Sequence, residues 1–576
     1  MNTRRSSARG LFLWLPPLAF LALFYFYPLG SIFAASFQRA EGGMIAPFWE
    51  ALTSPSIRRV LTFTIGQAFL STLLTLLIGL PGAYLLARYR FRGKSLLQAL
   101  MGIPFVLPTL VVAAAFNALL GPRGWVNLLL MSWFNLSQPP VQFVNSIWAI
   151  LVAHVFYNTT IVLRMVGDFW AHLDPRINQA AQTLGASRWG TLTRITLPLL
   201  MPAISAAALL VFIFDFTSFG VVLILGGPRY ATLEVEIYYQ TISLFNLPLA
   251  AVLSILQLLC TLGLTVIYTR LSLRVSRPLS MRPQAYTQKP LSGWRSRLLA
   301  GALIFLLAGL LITPLIGLAA RSFTHLNLPA VSSRSAPSGL TLRYYQELSI
   351  NRREALFYAP PIASIGISLG YALATVALAL ALGLPASWAL SRSSKSGEST
   401  SEALNRWLDP LMMLPLGTSA VTLGLGFILA LGRPPLNLRA SPLLIPLAHT
   451  MVALPFVVRS LTPALRSIRP RLREAAEVLG AAPHQVLRHV DLPLVGRAVL
   501  VAATFAFTIS MGEFGATALI SRPEYPTIPM AIYRFISQPG ALNYGQALAL
   551  STILMVVTAS GMLLIERFRM AEVGEF

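Results

Sequence analysis

The sequence predicts an all-α membrane protein of about twelve transmembrane helices, built as two six-helix units that repeat in parallel. Three observations lead there. The 576 residues are 55% hydrophobic and only 11% charged, against about 25% charged in a soluble domain. Twelve apolar runs reach or approach the ~20 residues that a spanning helix needs. The first half of the chain also reappears in the second at an offset of 295 residues, Gly185 recurring as Gly480.

In the first half the runs are Leu11–Ala35, Val60–Ala87, Leu96–Leu120, Val144–Leu163, Leu199–Leu225 and Leu244–Tyr268. In the second they are Leu298–Ala320, Ile362–Leu390, Leu411–Leu431, Leu443–Val458, Ala498–Ile520 and Leu542–Ile565. The tenth is short and is accepted because its first-half counterpart is clearer. The basic start, Met1 to Gly10, imitates a secretory signal. The charge-free run after it reaches Gln38, beyond the ~7–15 residues of a signal's apolar core, so it reads as a retained span.

The net charge of +24 could suggest nucleic acid, but the basic residues sit in short loops between apolar runs, as membrane topology requires. With the N-terminus inside, about two thirds of the 44 Lys and Arg fall in cytoplasmic segments, the side that positive residues favour. The expected location is a bacterial inner membrane, with both termini cytoplasmic. The segment Arg321 to Glu354 strains the rule, outward yet holding five arginines. Residues 270–297 are basic, contain Ser, Pro and Gln, and lack apolar period. They read as a cytoplasmic linker between a first unit, 1–269, and a second, 298–576.

The offset of 295 pairs Ala153-His154 with Ala448-His449, Phe219-Gly220 with Phe514-Gly515, and Ile237-Tyr238 with Ile532-Tyr533. Upstream, Gly79-Leu-Pro81 matches Gly383-Leu-Pro385 at an offset of 304, so a loop changed length in between. Repeats with an even number of spans keep their orientation, which makes these parallel repeats about an axis along the membrane normal.

Two polar islands interrupt the apolar pattern, at 174–198 and 469–493. The first reads Asn178-Gln-Ala-Ala-Gln-Thr-Leu-Gly185, running on to Ile195-Thr-Leu-Pro198. The second reads Arg473-Glu-Ala-Ala-Glu-Val-Leu-Gly480, running on to Val490-Asp-Leu-Pro493. Each predicts helix, turn, helix. Pro175 and Pro470 suit a first helical turn and Asp174 an N-cap. Gly185 and Gly480 suit the left-handed end of a helix. Ser187 caps the next helix and Pro483 opens its counterpart, while Pro198 and Pro493 restrict the backbone ahead of the following span. Two such loops at equal spacing suggest two equivalent docking surfaces, where one copy alone would as readily pack on its own spans.

The pattern Glu-Ala-Ala, three residues, Gly, nine residues, Ile-x-Leu-Pro resembles the signature loop of inner-membrane permeases in binding-protein-dependent ABC importers. The second copy matches closely, with Glu474 in the acidic place and Val490 for Ile; the first has Gln179 there. The resemblance covers nearly the whole chain, each half looking like one permease unit, and it is strongest to the fused permeases for ferric iron and thiamine. It implies the type I ABC importer transmembrane fold, a cytoplasmic ABC ATPase dimer and an extracytoplasmic solute-binding protein as partners. On that basis Gln179, Ala180, Ala181, Gly185, Leu197 and Pro198, with Glu474, Ala475, Ala476, Gly480, Leu492 and Pro493, would couple the spans to the ATPase.

Asp215 and Glu513 lie within apolar runs. A charge at the bilayer centre costs roughly 2.5–3.5 kcal/mol on insertion scales, so it faces the protein interior or a water-filled path. They are candidates for the translocation path or its gate; the structural alternative is an internal hydrogen bond or salt bridge that fixes helix register, with Arg164 or Arg459 as partner. They are not repeat equivalents, since Asp215 aligns with Ser510 and Glu513 with Ser218. His154 and His449 are repeat-matched, and buried hydrogen bonding explains them better than metal. Neither a cofactor nor a metal is expected: Cys260 is the sole cysteine and no ligand spacing surrounds it. Gly93-Lys94-Ser95 imitates the end of a phosphate-binding loop, but the required earlier glycine is Arg88. The chain therefore reads as a transport subunit rather than an enzyme, with energy drawn from a partner. Twelve spans in parallel repeats also describe a secondary transporter of the major-facilitator type, and a non-transporting scaffold or sensor is a third reading.

Overall fold

The computed structural model describes residues 13–37, 43, 45–275, 287–326, 339–350, 359–391, 408–432, 434 and 436–573. Among these, eleven helices are long and apolar enough to cross a membrane, and one bent pair makes a twelfth. In the first unit α1 is Leu13–Ser36, α2 Pro55–Arg88, α3 Lys94–Val106, α4 Thr109–Leu120 and α5 Ile147–His172. The loop helix α6 is Pro175–Thr183, followed by α7 Leu197–Phe216, α8 Leu233–Ile242 and α9 Leu247–Val275. The second unit repeats the series as α10 Trp294–Ser322, α11 Ala363–Ser391, α12 Leu408–Gly417, α13 Ala420–Leu431, α14 Leu444–Ser467, α15 Pro470–Val478, α16 Leu492–Gly512, α17 Gly515–Ile520, α18 Ile528–Ile536 and α19 Ala541–Val573.

The third expected span of each unit is not continuous. Leu96–Leu120 is α3 and α4, separated by Leu107 and Pro108 in extended backbone. Pro108 has no N–H to continue a helix and pushes Leu107 out of the helical region. Its counterpart, Leu411–Leu431, bends by 98° between α12 and α13. There Thr418 and Ser419 are extended, and Ser419 Oγ accepts from the N–H groups of Val421 and Thr422. Trp125–Phe134 continues past α4, so the element of spanning length begins at Thr109. The fifth spans break as well: α7 ends at Phe216 rather than running to Leu225, and α16 ends at Gly512, just before Glu513.

The other correction concerns Pro198 and Pro493, which mark no break. Five-residue π-turns, Leu192–Thr196 and Leu487–Asp491, run straight into α7 and α16. The prolines occupy the second position of each α segment, where a missing N–H is tolerated, and the wider turn shifts the hydrogen-bond register ahead of them. Each loop is thus joined without interruption to the span that follows, over Arg188–Phe216 and His484–Gly512.

The fourth spans, α5 and α14, are the most deeply buried, whereas α10, α11 and the span His484–Gly512 that contains α16 are the most open to the surroundings. Each unit's first span packs on the other unit. Helix α1 lies against α13, and α10 lies against α4. Tyr25 bonds Thr418 at 2.7 Å, and the Trp125 indole donates to the Gly317 carbonyl at 3.2 Å. The helix α9 is described as far as Val275; Thr287 donates to the Ala171 carbonyl, and Lys289–Pro290 pair in parallel with Tyr89–Arg90. The expected linker 270–297 is therefore partly helix and partly docked strand, and its middle lies outside the described residues.

Candidate translocation site

The interruptions of the third and fifth spans meet at one place. Around them lies a cavity of about 470 Å³, lined by both units. Irregular backbone at membrane depth is tolerated where it is buried in protein or lines a polar cavity, and this arrangement satisfies that condition. Among the described residues three carboxylates contribute to the wall, Asp215, Glu234 and Glu513, and neither Lys nor Arg does.

Asp215 sits in the last turn of α7, 1% exposed. Its Oδ1 accepts from Asn158 Nδ2 at 2.7 Å and lies 3.3 Å from His154 Nδ1. Its Oδ2 is buried without a hydrogen-bond partner. Glu513 is held differently. Its two oxygens accept the N–H groups of Ala516 and Thr517 and the Thr517 hydroxyl, so it caps α17. His449 Nε2 stands 3.3 Å from it. The carboxylates thus meet histidines rather than the arginines considered from sequence.

The two histidines explain why the acids fall at unmatched positions. His154 reaches Asp215 with Nδ1 and Ser218 Oγ with Nε2, at 2.7 Å. His449 reaches Ser510 Oγ with Nδ1, at 2.8 Å, and Glu513 with Nε2. Ser510 is the repeat equivalent of Asp215, and Ser218 that of Glu513. Each unit therefore holds one imidazole between the same two positions, with acid and serine exchanged.

Glu234 is the residue that the sequence reading missed. It lies outside every apolar run, in the first turn of α8, yet is 3% exposed. The backbone N–H of Leu233 bonds Thr64 Oγ1, just as that of Ile528 bonds Ser368 Oγ in the other unit. Thr232 also donates to the Ser218 carbonyl. These ties fold α8 back into the bundle, and Gln257 of α9 donates to Glu234 Oε1 at 2.8 Å. The only signal in the sequence was an acid recurring within an apolar segment, Leu233-Glu-Val-Glu-Ile237.

Four rings run across the junction of the units. Phe219 stacks on its repeat equivalent Phe514 at 5.3 Å, with Tyr238 5.4 Å from Phe219 and Tyr533 5.4 Å from Phe514. The two phenylalanines line the cavity.

At the far end of α7 and α16 the polar islands form matching loops. Asp174 caps α6, and Ser187 caps the next short helix. Gly185 has φ +90° and Gly480 φ +85°. The N–H of Ala186 bonds Ala181 O and that of Ala481 bonds Ala476 O, each at 3.0 Å, closing both helices in the same C-terminal motif. Gln179, Ala180, Gly185 and Pro198 are exposed, as are Glu474, Ala475, Gly480 and Pro493. Leu197 is at the edge of exposure, Ala476 and Leu492 are half-buried, and Ala181 is buried under the loop. Between them Leu184 and Leu479 stand 88% and 87% exposed, apolar tips with no cover from this chain.

A clamp fixes each loop to its span. Arg473 Nε meets Asp491 Oδ1 at 2.7 Å, and the equivalent residues of the first loop, Asn178 and Thr196, share a hydrogen bond of 3.1 Å. With loop at one end and cavity at the other, α7 and α16 each run about 30 Å between them, at 1.5 Å per residue.

Binding-protein-dependent transport system inner membrane components match residues 76–277 and 383–569. The thiamine transport system permease protein ThiP of Haemophilus influenzae is 27% identical over 548 residues, covering 93% of each chain. That of Escherichia coli is 27% identical over 528 residues, covering 88% of this chain and 90% of its own. A solved bacterial alginate ABC transporter chain, in complex with an alginate-bound periplasmic protein, is 20% identical at a TM-score of 0.40, covering 48% of this chain and 99% of its own. With both halves matched, this multi-pass chain belongs to the inner-membrane permease components of binding-protein-dependent ABC importers, as two such units in one polypeptide.

Proposed function

We propose that this permease carries thiamine, delivered by an external solute-binding protein and driven by a cytoplasmic ATPase dimer gripping the two loops. The observation that carries the substrate is the end-to-end likeness to thiamine permeases of two bacteria, which favours thiamine over the ferric iron that the sequence left open. A cavity wall with three carboxylates and neither Lys nor Arg agrees with a cationic cargo.

In this reading both termini and both loops face the cytoplasm. Leu184 and Leu479 enter grooves of the two ATPase subunits, flanked by Gln179 and Glu474. Closure of the ATPase dimer drives the loops together, and α7 and α16 carry the movement to Asp215 and Glu513. The cycle needs an element with two arrangements that the partner biases; the junction of the units, spanned by the Phe219–Phe514 pair, supplies it. Asp215 and Glu513 serve the path as wall residues, each fixed by a histidine.

The test is thiamine uptake in a thiamine-requiring bacterium that lacks its own permease and expresses this chain with its ATPase and binding protein. Labelled thiamine should accumulate only while ATP is present. Uptake that survives ATP depletion but collapses with a protonophore would return the chain to the secondary-transporter reading.

A further inference from the structure

The cavity holds a feature that passage alone does not require. Glu234 of the first unit and Glu513 of the second both line it. Neither has a repeat counterpart of its own kind, Glu234 aligning with Pro529 and Glu513 with Ser218. Two buried carboxylates in one cavity disfavour each other's charge unless positive charge offsets them; among the described residues the lining offers neither Lys nor Arg, and the histidine beside Glu513 leaves Glu234 without a basic group of its own. Independently, Asp215 lines the same cavity and its buried Oδ2 has no hydrogen-bond partner among the described residues; a buried acceptor left open is costly. Most of the remaining wall is apolar, with Phe105, Phe214, Phe456 and Phe505 beside the stacked pair. Ring faces attract cations, and 470 Å³ falls within the ~300–1,000 Å³ of small-molecule sites.

We infer that the permease itself contains a saturable binding site for a flat organic monocation, and that Glu234 sets its preference for positive charge. The ligand lies between the phenylalanine rings, its cationic centre facing Glu234 and Glu513 and a donor group turned toward Asp215. Gln257 acts by positioning, holding Glu234 turned into the space. Selection for charge is therefore made twice in the importer, once by the external receptor and again here. This rests on the thiamine reading for the identity of the ligand but not for its class.

Equilibrium binding to the purified full-length chain in detergent, without receptor or ATPase, tests it. The probes are labelled thiamine, N-methylpyridinium as a simpler aromatic monocation, and an uncharged thiamine analogue with a neutral ring in place of the thiazolium. Both cations should bind saturably and compete with one another, and the neutral analogue should bind at least tenfold more weakly. Glu234→Gln keeps the Gln257 acceptor but removes the charge; it should weaken cation binding at least tenfold and narrow the gap to the neutral analogue. Glu234→Asp should restore part of it. A thermal-unfolding midpoint equal to that of the parent shows that the variant is folded, and Gln257→Leu provides a second route to the same loss. Binding of N-methylpyridinium without thiamine would keep the site and overturn the thiamine assignment. Equal affinity for cations and the neutral analogue, or full cation affinity in folded Glu234→Gln, would overturn the site.

Discussion

Arg473 and Asp491, and Asn178 and Thr196, are one contact written in two chemistries. The Asp491 carboxylate is wholly buried and the Arg473 side chain 18% exposed. Removing one partner of a buried pair leaves an uncompensated charge, at about 3–5 kcal/mol; removing a neutral hydrogen bond costs about 1 kcal/mol. Asp491→Ala should therefore lower the thermal-unfolding midpoint of the detergent-solubilised chain far more than Thr196→Val does. Equal shifts would show that the second clamp is no stronger than the first. Thr196 is also the milder site functionally: its variant should keep most ATP-driven uptake, whereas Asp491→Ala should lose most of it.

At the scale of elements, two glycine pairs carry opposite demands. Gly79 and Gly383 open matching approaches of the second span to the fourth. A Cβ on Gly79 would stand 2.8 Å from Val162 Cβ, and one on Gly383 2.6 Å from Val457 Cγ1. Gly79→Leu or Gly383→Leu should force α2 from α5, or α11 from α14, and reduce the yield of folded protein. Gly185 and Gly480 have open space around them but a left-handed backbone, which costs a side chain about 1–2 kcal/mol. Gly185→Asp and Gly480→Asp should leave membrane insertion intact, read by protease accessibility, yet abolish uptake by spoiling ATPase docking. Full uptake with both substitutions would remove the coupling role. Periodicity, offset and punctuation made the helix count, the repeat and both loops readable in advance. The interruptions at Leu107-Pro108 and at residues 217–219 were not readable, because an apolar run looks the same whether its helix continues or turns. Asp215 and Glu513 could be singled out because charge is conspicuous in an apolar run. Glu234 could not, because what buries it is a pair of long-range bonds to Thr64 and Ser218.

For the whole molecule, the exchange of first spans decides how independent the units are. With α1 seated on α13 and α10 on α4, neither unit buries its apolar helix faces alone. Helix association in lipid depends on such close packing, since hydrocarbon offers no hydrophobic drive between spans. The covalent link matters less. Thr287, Lys289 and Pro290 dock on the first unit through Ala171, Tyr89 and Arg90, so a break placed between 275 and 287 leaves those contacts with the second unit. The two pieces, co-expressed, should co-purify and support ATP-driven thiamine uptake at a rate close to that of the fused chain. Either piece expressed alone should aggregate or be degraded, because its partner's first span is missing from its surface. A lone first unit that purified as a stable, monodisperse protein would show that the span exchange is incidental, and the chain would then be two permeases tied together rather than one closed assembly.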